Sequence, residues 1–410
     1  MIRERRLLLV VGAIVFVDTM FYAAIAPILP ALAHGLGLSK LSAGLLTAAY
    51  PVGTLVGSLP GGILAARAGP KTTVYVGLAL LAGSTAAFGW LHNAALLDAA
   101  RFIEGFGGAC SWAGGLAWLV AQSPPERRGE AIGGALAAGI AGALFGPVIG
   151  AIASGAGRGP TFSAVVVLSV LLIDQVRRLP LTHLPSSQGL RDVARALGRS
   201  AVAVGMWLVV LPAIASGAIN VLAPLRLHQL GADGIAIGAA FLAAAGCEAL
   251  TSPLMGRLSD RRGRLLPLRF GLAGSALFLA IFTVPMSVWL LGGLVVMSSL
   301  SLAGFWAPAM ALLSEAADAS GLDQGLAAAL INMAWALGQM MGAGGAGALA
   351  KAAGDAPPMI LVSALCLLTL AAVGRRRGVP PRVPAAEVTG AATSGGPPGS
   401  WASSWSDEAG

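Results

Sequence analysis

Asp18, Arg101, Glu104 and Glu248 each interrupt a long apolar stretch of this 410-residue chain. A charge at the centre of a bilayer costs about 2.5–3.5 kcal/mol on insertion scales, so such a group faces a cavity or a partner. A carboxyl group in a cavity can take a proton from one side and release it when a cation or an arginine approaches. That is the minimum chemistry of proton-coupled exchange. Asp18 and Glu248 sit near the middle of their stretches and are the acids placed for it. Asp98, Arg101 and Glu104 are spaced by three and share one helix face. For Glu104 an internal ion pair with Arg101 is the plainer reading, with proton coupling beside it.

Polar and aromatic residues recur near the same depth. Asn332, Trp335 and Gln339 fall at i, i+3 and i+7 of one stretch, Tyr22 lies one turn after Asp18, and Asn220 and Trp306 come from two others. An acid, amide and aromatic lining suits an amphipathic organic compound, while each residue alone also suits ordinary interhelical packing. Cys110, Cys247 and Cys366 are dispersed and share no C-x-x-C spacing, which argues against a disulfide framework or a zinc site. The four histidines make no metal-ligand spacing. Gly342 to Gly347 spells G-x-G-x-x-G, but no strand precedes it and no βαβ unit surrounds it, so no nucleotide cofactor is expected.

The elements that must position these groups follow from composition. Charged residues are 11% of the chain, hydrophobic residues 56%, and mean hydropathy is +0.81. A soluble domain carries about 25% charge. Twelve apolar stretches reach the roughly 18 residues that cross a bilayer as a helix: 7–33, 41–66, 72–92, 94–121, 130–156, 160–177, 201–225, 235–257, 265–285, 287–313, 324–350 and 357–374. They lack the alternation of barrel strands. The first is too long for a cleaved signal peptide and reads as a retained helix. With the N-terminus inside, 21 of the 26 Lys and Arg fall on the cytoplasmic side, which places both termini in the cytoplasm. The +8 charge then faces anionic lipid headgroups, and no nucleic-acid partner is needed.

The expected organisation is a six-helix bundle at 1–177, a cytoplasmic linker at 178–200, a second bundle at 201–374 and a disordered tail at 375–410 rich in Pro, Gly, Ser and Ala. The halves repeat. An offset of 194 carries Gly62, Arg67 and Gly69 onto Gly256, Arg261 and Gly263, and an offset of 192 carries Gly146 and Gly150 onto Gly338 and Gly342. Parallel halves with a site between them are a transporter arrangement.

Gly256, Asp260, Arg261, Gly263 and Arg264 form G-x-x-x-D-R-x-G-R, which resembles the loop signature of the major facilitator superfamily. Leu97 to Gly108 is similar to that family's arginine-containing fourth-helix motif. Gly142-Ala-Leu-Phe-Gly146-Pro147-Val-Ile-Gly150, with Ala151 where the family has a last glycine, resembles its drug:proton antiporter branch, as does Asp18-Thr19 with Pro27 to Pro30. The resemblance implies an all-α membrane protein of twelve helices in two pseudo-symmetric bundles that rock about a central cavity. It also implies gating roles for the two charged loops and for Gly146, Pro147 and Gly150, and a coupling role for Arg101. The first loop has Ala66 in place of the aspartate and Pro70 in place of a base, so its latch is expected to be the weaker one.

The combined expectation is a monomeric, proton-coupled exporter of a small amphipathic molecule or drug in a bacterial inner membrane. The rival within transport is a symporter or uniporter for a sugar or organic acid. A non-transporting receptor is a remote alternative. No enzyme motif is present.

Overall fold

The computed structural model describes residues 2–124, 127–180, 195–322 and 324–375. Thirteen helices run through them. The first half holds α1 (Ile2–Ala23), α2 (Ile25–Gly35), α3 (Lys40–Ala68), α4 (Pro70–Trp90), α5 (Ala94–Gln122), α6 (Arg128–Ala156) and α7 (Arg158–Arg177). The second holds α8 (Ser200–Gln229), α9 (Gly234–Arg262), α10 (Leu265–Ala280), α11 (Val288–Asp318), α12 (Gln324–Ala353) and α13 (Ala356–Arg375). Residues 181–194 of the expected linker, the tail beyond Arg375, and the side chains of Gly256 and Asp260 lie outside the described residues.

Helices α1 and α2 act as one crossing, broken at Ala24. Pro27 has no N–H to give the carbonyl of Ala23, which interrupts the ladder. Counted so, ten crossings are long and apolar enough to span a membrane by length and composition. The other two depart for visible reasons. Helix α5 carries Asp98, Arg101 and Glu104 among many glycines, and α10 has only 16 residues. The apolar run continues to Val284, yet the helix stops at Ala280 and turns through the segment before Pro285, whose own predecessor is biased away from helix.

Boundaries elsewhere obey local chemistry. Ser39, Asn93, Asp233 and Ser287 accept a backbone N–H from the first turns of α3, α5, α9 and α11. Gly69 and Gly263 end α3 and α9 at φ +89° and +84°, a region open to glycine at little cost. They are the paired glycines of the two charged loops, so the repeat seen in sequence is also a repeat of backbone geometry.

With α1 and α2 as one crossing, successive helices alternate between two faces, one holding Ile2 and Arg375 (the termini face) and one opposite. The buried apolar residues form two groups in α1–α7 and one large group drawn almost wholly from α8–α13. The halves meet chiefly where α3 packs on α12, α6 on α9, and α2 on α8 and α9.

Candidate functional site

Asp18 is fully buried on α1. The Tyr50 hydroxyl lies 2.9 and 3.0 Å from its two oxygens, and the Trp112 indole N–H donates at 3.1 Å. Its partners therefore come from α3 and α5, and the close packing that brings them there depends on glycine. A Cβ at Gly108 would stand 2.7 Å from both Asp18 Oδ1 and the Tyr50 hydroxyl. A buried carboxylate is tolerated when donors satisfy its oxygens, and here three helices supply the acid and its donors.

Arg101 and Glu104 lie beside this nest and are also fully buried. Arg101 Nη1 donates to Glu104 Oε2 at 2.9 Å, and Nη2 donates to the Tyr22 carbonyl at 3.2 Å. The guanidinium carbon is 5.1 Å from the Tyr50 ring centroid, 5.7 Å from that of Tyr22 and 5.8 Å from that of Phe88. The charge is thus balanced by one carboxylate and three ring faces within the first half. The expected internal pair is present; Asp98 stands outside it, half-buried.

A cavity of about 220 Å³ opens between the halves. Tyr22, Asn220, Glu248, Trp306, Trp335 and Gln339 all line it, from α1, α8, α9, α11 and α12. Five separate stretches of sequence thus converge on one space. Tyr22 joins the cavity to the buried charges: its ring is 5.4 Å from that of Trp335, edge to face, and 4.6 Å from that of Tyr50. Gln339 Nε2 donates to Ser216 Oγ at 2.7 Å. Glu248 has no hydrogen-bond or ion-pair partner among the described residues. Asn332 is half-buried one turn before Trp335 and is not among the lining residues. Asp18, Arg101 and Glu104 are not on the wall either; Tyr22 and Tyr50 separate them from it.

The expected gating residues fall in three places. Gly62, Arg67 and Arg261 are exposed at the termini face. Arg264 pairs with Glu315 of α11, and Lys71, next to Pro70, donates to the carbonyls of Arg177 at 3.1 Å and Leu179 at 2.9 Å. Each described contact of the loops stays within its own half. Gly146 and Gly150 form with Gly142 the surface on which α6 approaches the backbone of Phe16, Met20 and Ala24. Pro147 lines the cavity with Ala143, whose carbonyl loses its helical donor at that proline. Gly338 and Gly342 approach Val210 and Ile214, the equivalents of Phe16 and Met20 at offset 194. By packing, Gly338 therefore matches Gly142, one turn from the match by motif spacing.

Four groups of the site were not singled out from sequence: Tyr50 and Trp112, which donate to Asp18, and Ser216 and Phe241, which line the cavity. Tyr50 is one of three tyrosines in the chain, and a buried Tyr or Trp needs a partner for its polar tip. That need was the available signal.

The family model described as Major Facilitator Superfamily matches residues 11–197 and 205–407. The quinolone resistance protein NorA of Staphylococcus aureus (strain MRSA252) is 28% identical over 171 residues, 40% of this chain and 44% of that protein. A probable vesicular acetylcholine transporter-B of Danio rerio is 32% identical over 201 residues, 46% of this chain and 40% of that protein. The chain thus spans less than half the length of these curated relatives. Among solved structures, a bacterial homolog of the human lysosomal transporter Spinster, inward-facing and unoccupied, superposes with a TM-score of 0.73 at 14% identity, over 90% of this chain and 96% of that one. A D-xylose–proton symporter gives 0.70 at 17% identity, over 92% and 98%. These two likenesses concern the fold.

Proposed function

The chain belongs to the major facilitator superfamily and is a multi-pass secondary transporter of a small molecule, and from that premise we propose that it exports an amphipathic organic compound in exchange for protons. The observation carrying this reading is the central cavity, whose wall of Tyr22, Trp306, Trp335, Asn220 and Gln339 has, among the described residues, one carboxylate, Glu248, and no basic residue. Aromatic faces hold a non-polar body and the amides orient a polar end, while a cavity without Lys or Arg offers an organic acid no counter-charge. Asp18 is the expected proton group, with Glu104 and Arg101 near enough to sense its charge through Tyr50 and Tyr22. The partial similarity to the quinolone resistance protein supports export in particular.

With both termini in the cytoplasm of a bacterial inner membrane, the opposite face, where Gly44 of α3 meets Gly347 of α12, would be the external one. The cavity would then load from inside.

Everted vesicles with an imposed pH gradient test the reading. A panel of amphipathic compounds should accumulate while the gradient lasts and leak away on adding a protonophore. Uptake that ignores the gradient would sink antiport. Asp18→Asn should abolish gradient-driven uptake, and coupling that persists in this variant would move the proton role to Glu248 or Glu104.

A further inference from the structure

Glu248 differs from Asp18 and Glu104, the two fully buried acids of the membrane-spanning helices, and is the acid that lines the cavity among the described residues. Asp18 has Tyr50 and Trp112, and Glu104 has Arg101. Glu248 lines the cavity with no described partner. Helices α2, α6, α8, α10 and α11 pack against α9, and none supplies a counter-charge at that depth. His34 ends α2, Arg128 and Glu130 begin α6, Arg226 and His228 end α8, and Glu315 and Asp318 end α11. Arg269 of α10 donates to the Val373 carbonyl at 3.3 Å. On α9 itself the nearest base is Arg257, nine residues on and so about 13 Å along the axis. Tyr22 is the other titratable group on the cavity wall.

Glu248 is half-buried, so its carboxylate keeps part of the cost of leaving water with no described partner to offset it, and a cation entering the cavity relieves that cost. Tyr22, Trp306, Trp335 and Phe241 share the wall, and aromatic faces attract cations as well as apolar groups. Building on the transport reading above, we propose that Glu248 is the charge-recognising group of the cavity, so that the substrate carries one positive charge on a body held by these four rings. Asp18 is then left to its own nest, and two acids divide the work: one meets the substrate, and one is held behind Tyr50 out of its reach.

Tetraphenylphosphonium and tetraphenylborate test this, because they match in size and shape and differ in the sign of charge. Equilibrium dialysis of the purified full chain in detergent, against protein-free micelles, should show the cation bound about tenfold or more tightly than the anion, as one close charge in a partly desolvated site allows. Glu248→Gln should bring the two affinities together, and Glu248→Asp should keep the preference. Equal binding by the unaltered protein would overturn the proposal even if the glutamine variant did not fold. A preference that survives in folded Glu248→Gln would overturn it too. If gradient-driven uptake fails while the ion preference stands, the transport reading falls and the role of Glu248 does not; uptake with no ion preference is the reverse result.

Discussion

Asp18 and Glu248 are chemically similar groups in one membrane-spanning bundle, and their surroundings separate them. Asp18 accepts hydrogen bonds from Tyr50 and Trp112, so its cost of burial is largely offset on the spot. Glu248 keeps its cost and is open to whatever enters the cavity. Tyr50 is therefore the residue whose loss should show the difference. Tyr50→Phe keeps the ring beside Arg101 but removes the donor to both Asp18 oxygens, and should lower stability by about 1–3 kcal/mol, the usual penalty for a stranded buried acceptor. A thermal unfolding series in detergent reads this. Asp18→Asn/Tyr50→Phe should cost less than the sum of the single changes, and strict additivity would mean that the two do not interact.

At the scale of elements, glycine governs where helices touch. Gly142, Gly146 and Gly150 seat α6 on α1 and α2. Across the halves, α3 meets α12 at Gly44 and Gly347: a Cβ on Gly44 would lie 2.6 Å from the Ala343 carbonyl oxygen, and one on Gly347 would lie 2.9 Å from Gly44 Cα. On the other side of the cavity, a Cβ on Gly238 would lie 2.9 Å from that of Ala151. Towards the termini face the approach loosens, to 3.7 Å between Gly344 and Ala48 and 3.8 Å between Gly246 and Leu144. These tight cross-half contacts lie towards the opposite face and hold the halves together there, as closure of the cavity on that side requires. Gly44→Leu should prevent that closure because backbone lies where the side chain must go. A cysteine at Thr47, on the cavity wall, should then react faster with an impermeant maleimide applied from the opposite face. An unchanged rate would show that the seam can part without opening the cavity.

At the scale of the whole molecule, an ionic clasp lies over the glycine seam. Lys40, at the start of α3, pairs with Asp355 at 2.6 Å, and Arg226 of α8 approaches the same carboxylate at 3.9 Å. Arg226 is itself held by the carbonyl of Thr283. One acid between α12 and α13 thus ties the first half to the second. An exposed pair is worth about 0.2–1 kcal/mol, and this one is more sheltered, with side-chain exposures of 29% and 11%. Each 1.4 kcal/mol shifts a two-state population tenfold, so Asp355→Asn should raise the fraction open at this face by about two- to tenfold. Spin-label distances across the α3–α12 seam would report the shift. An unaltered distance distribution would leave the glycine contacts as the whole of the closure.

Much of this could be read without coordinates. Bilayer thickness forces long apolar runs into helices, so the crossings, the duplicated halves and the paired loop glycines Gly69 and Gly263 were legible in order and spacing. Asp18, Tyr22 and Glu248 were legible as well, because a polar group inside such a run is costly enough to need a purpose. Sequence carries depth along each helix but says little about rotation around it. Only tertiary packing decided that Asp18 turns toward Tyr50 and Trp112 while Glu248 turns, bare, into the cavity. Packing likewise sealed Arg101 behind Tyr22 and left Asn332 off the wall. The charged loop Gly256 to Arg264 marks the family from its residues alone. Which contacts hold the halves together depended on Lys40, Asp355, Gly44 and Gly347, far apart in the chain, because a pairing between distant segments is set by how whole helices pack and has no local pattern to announce it.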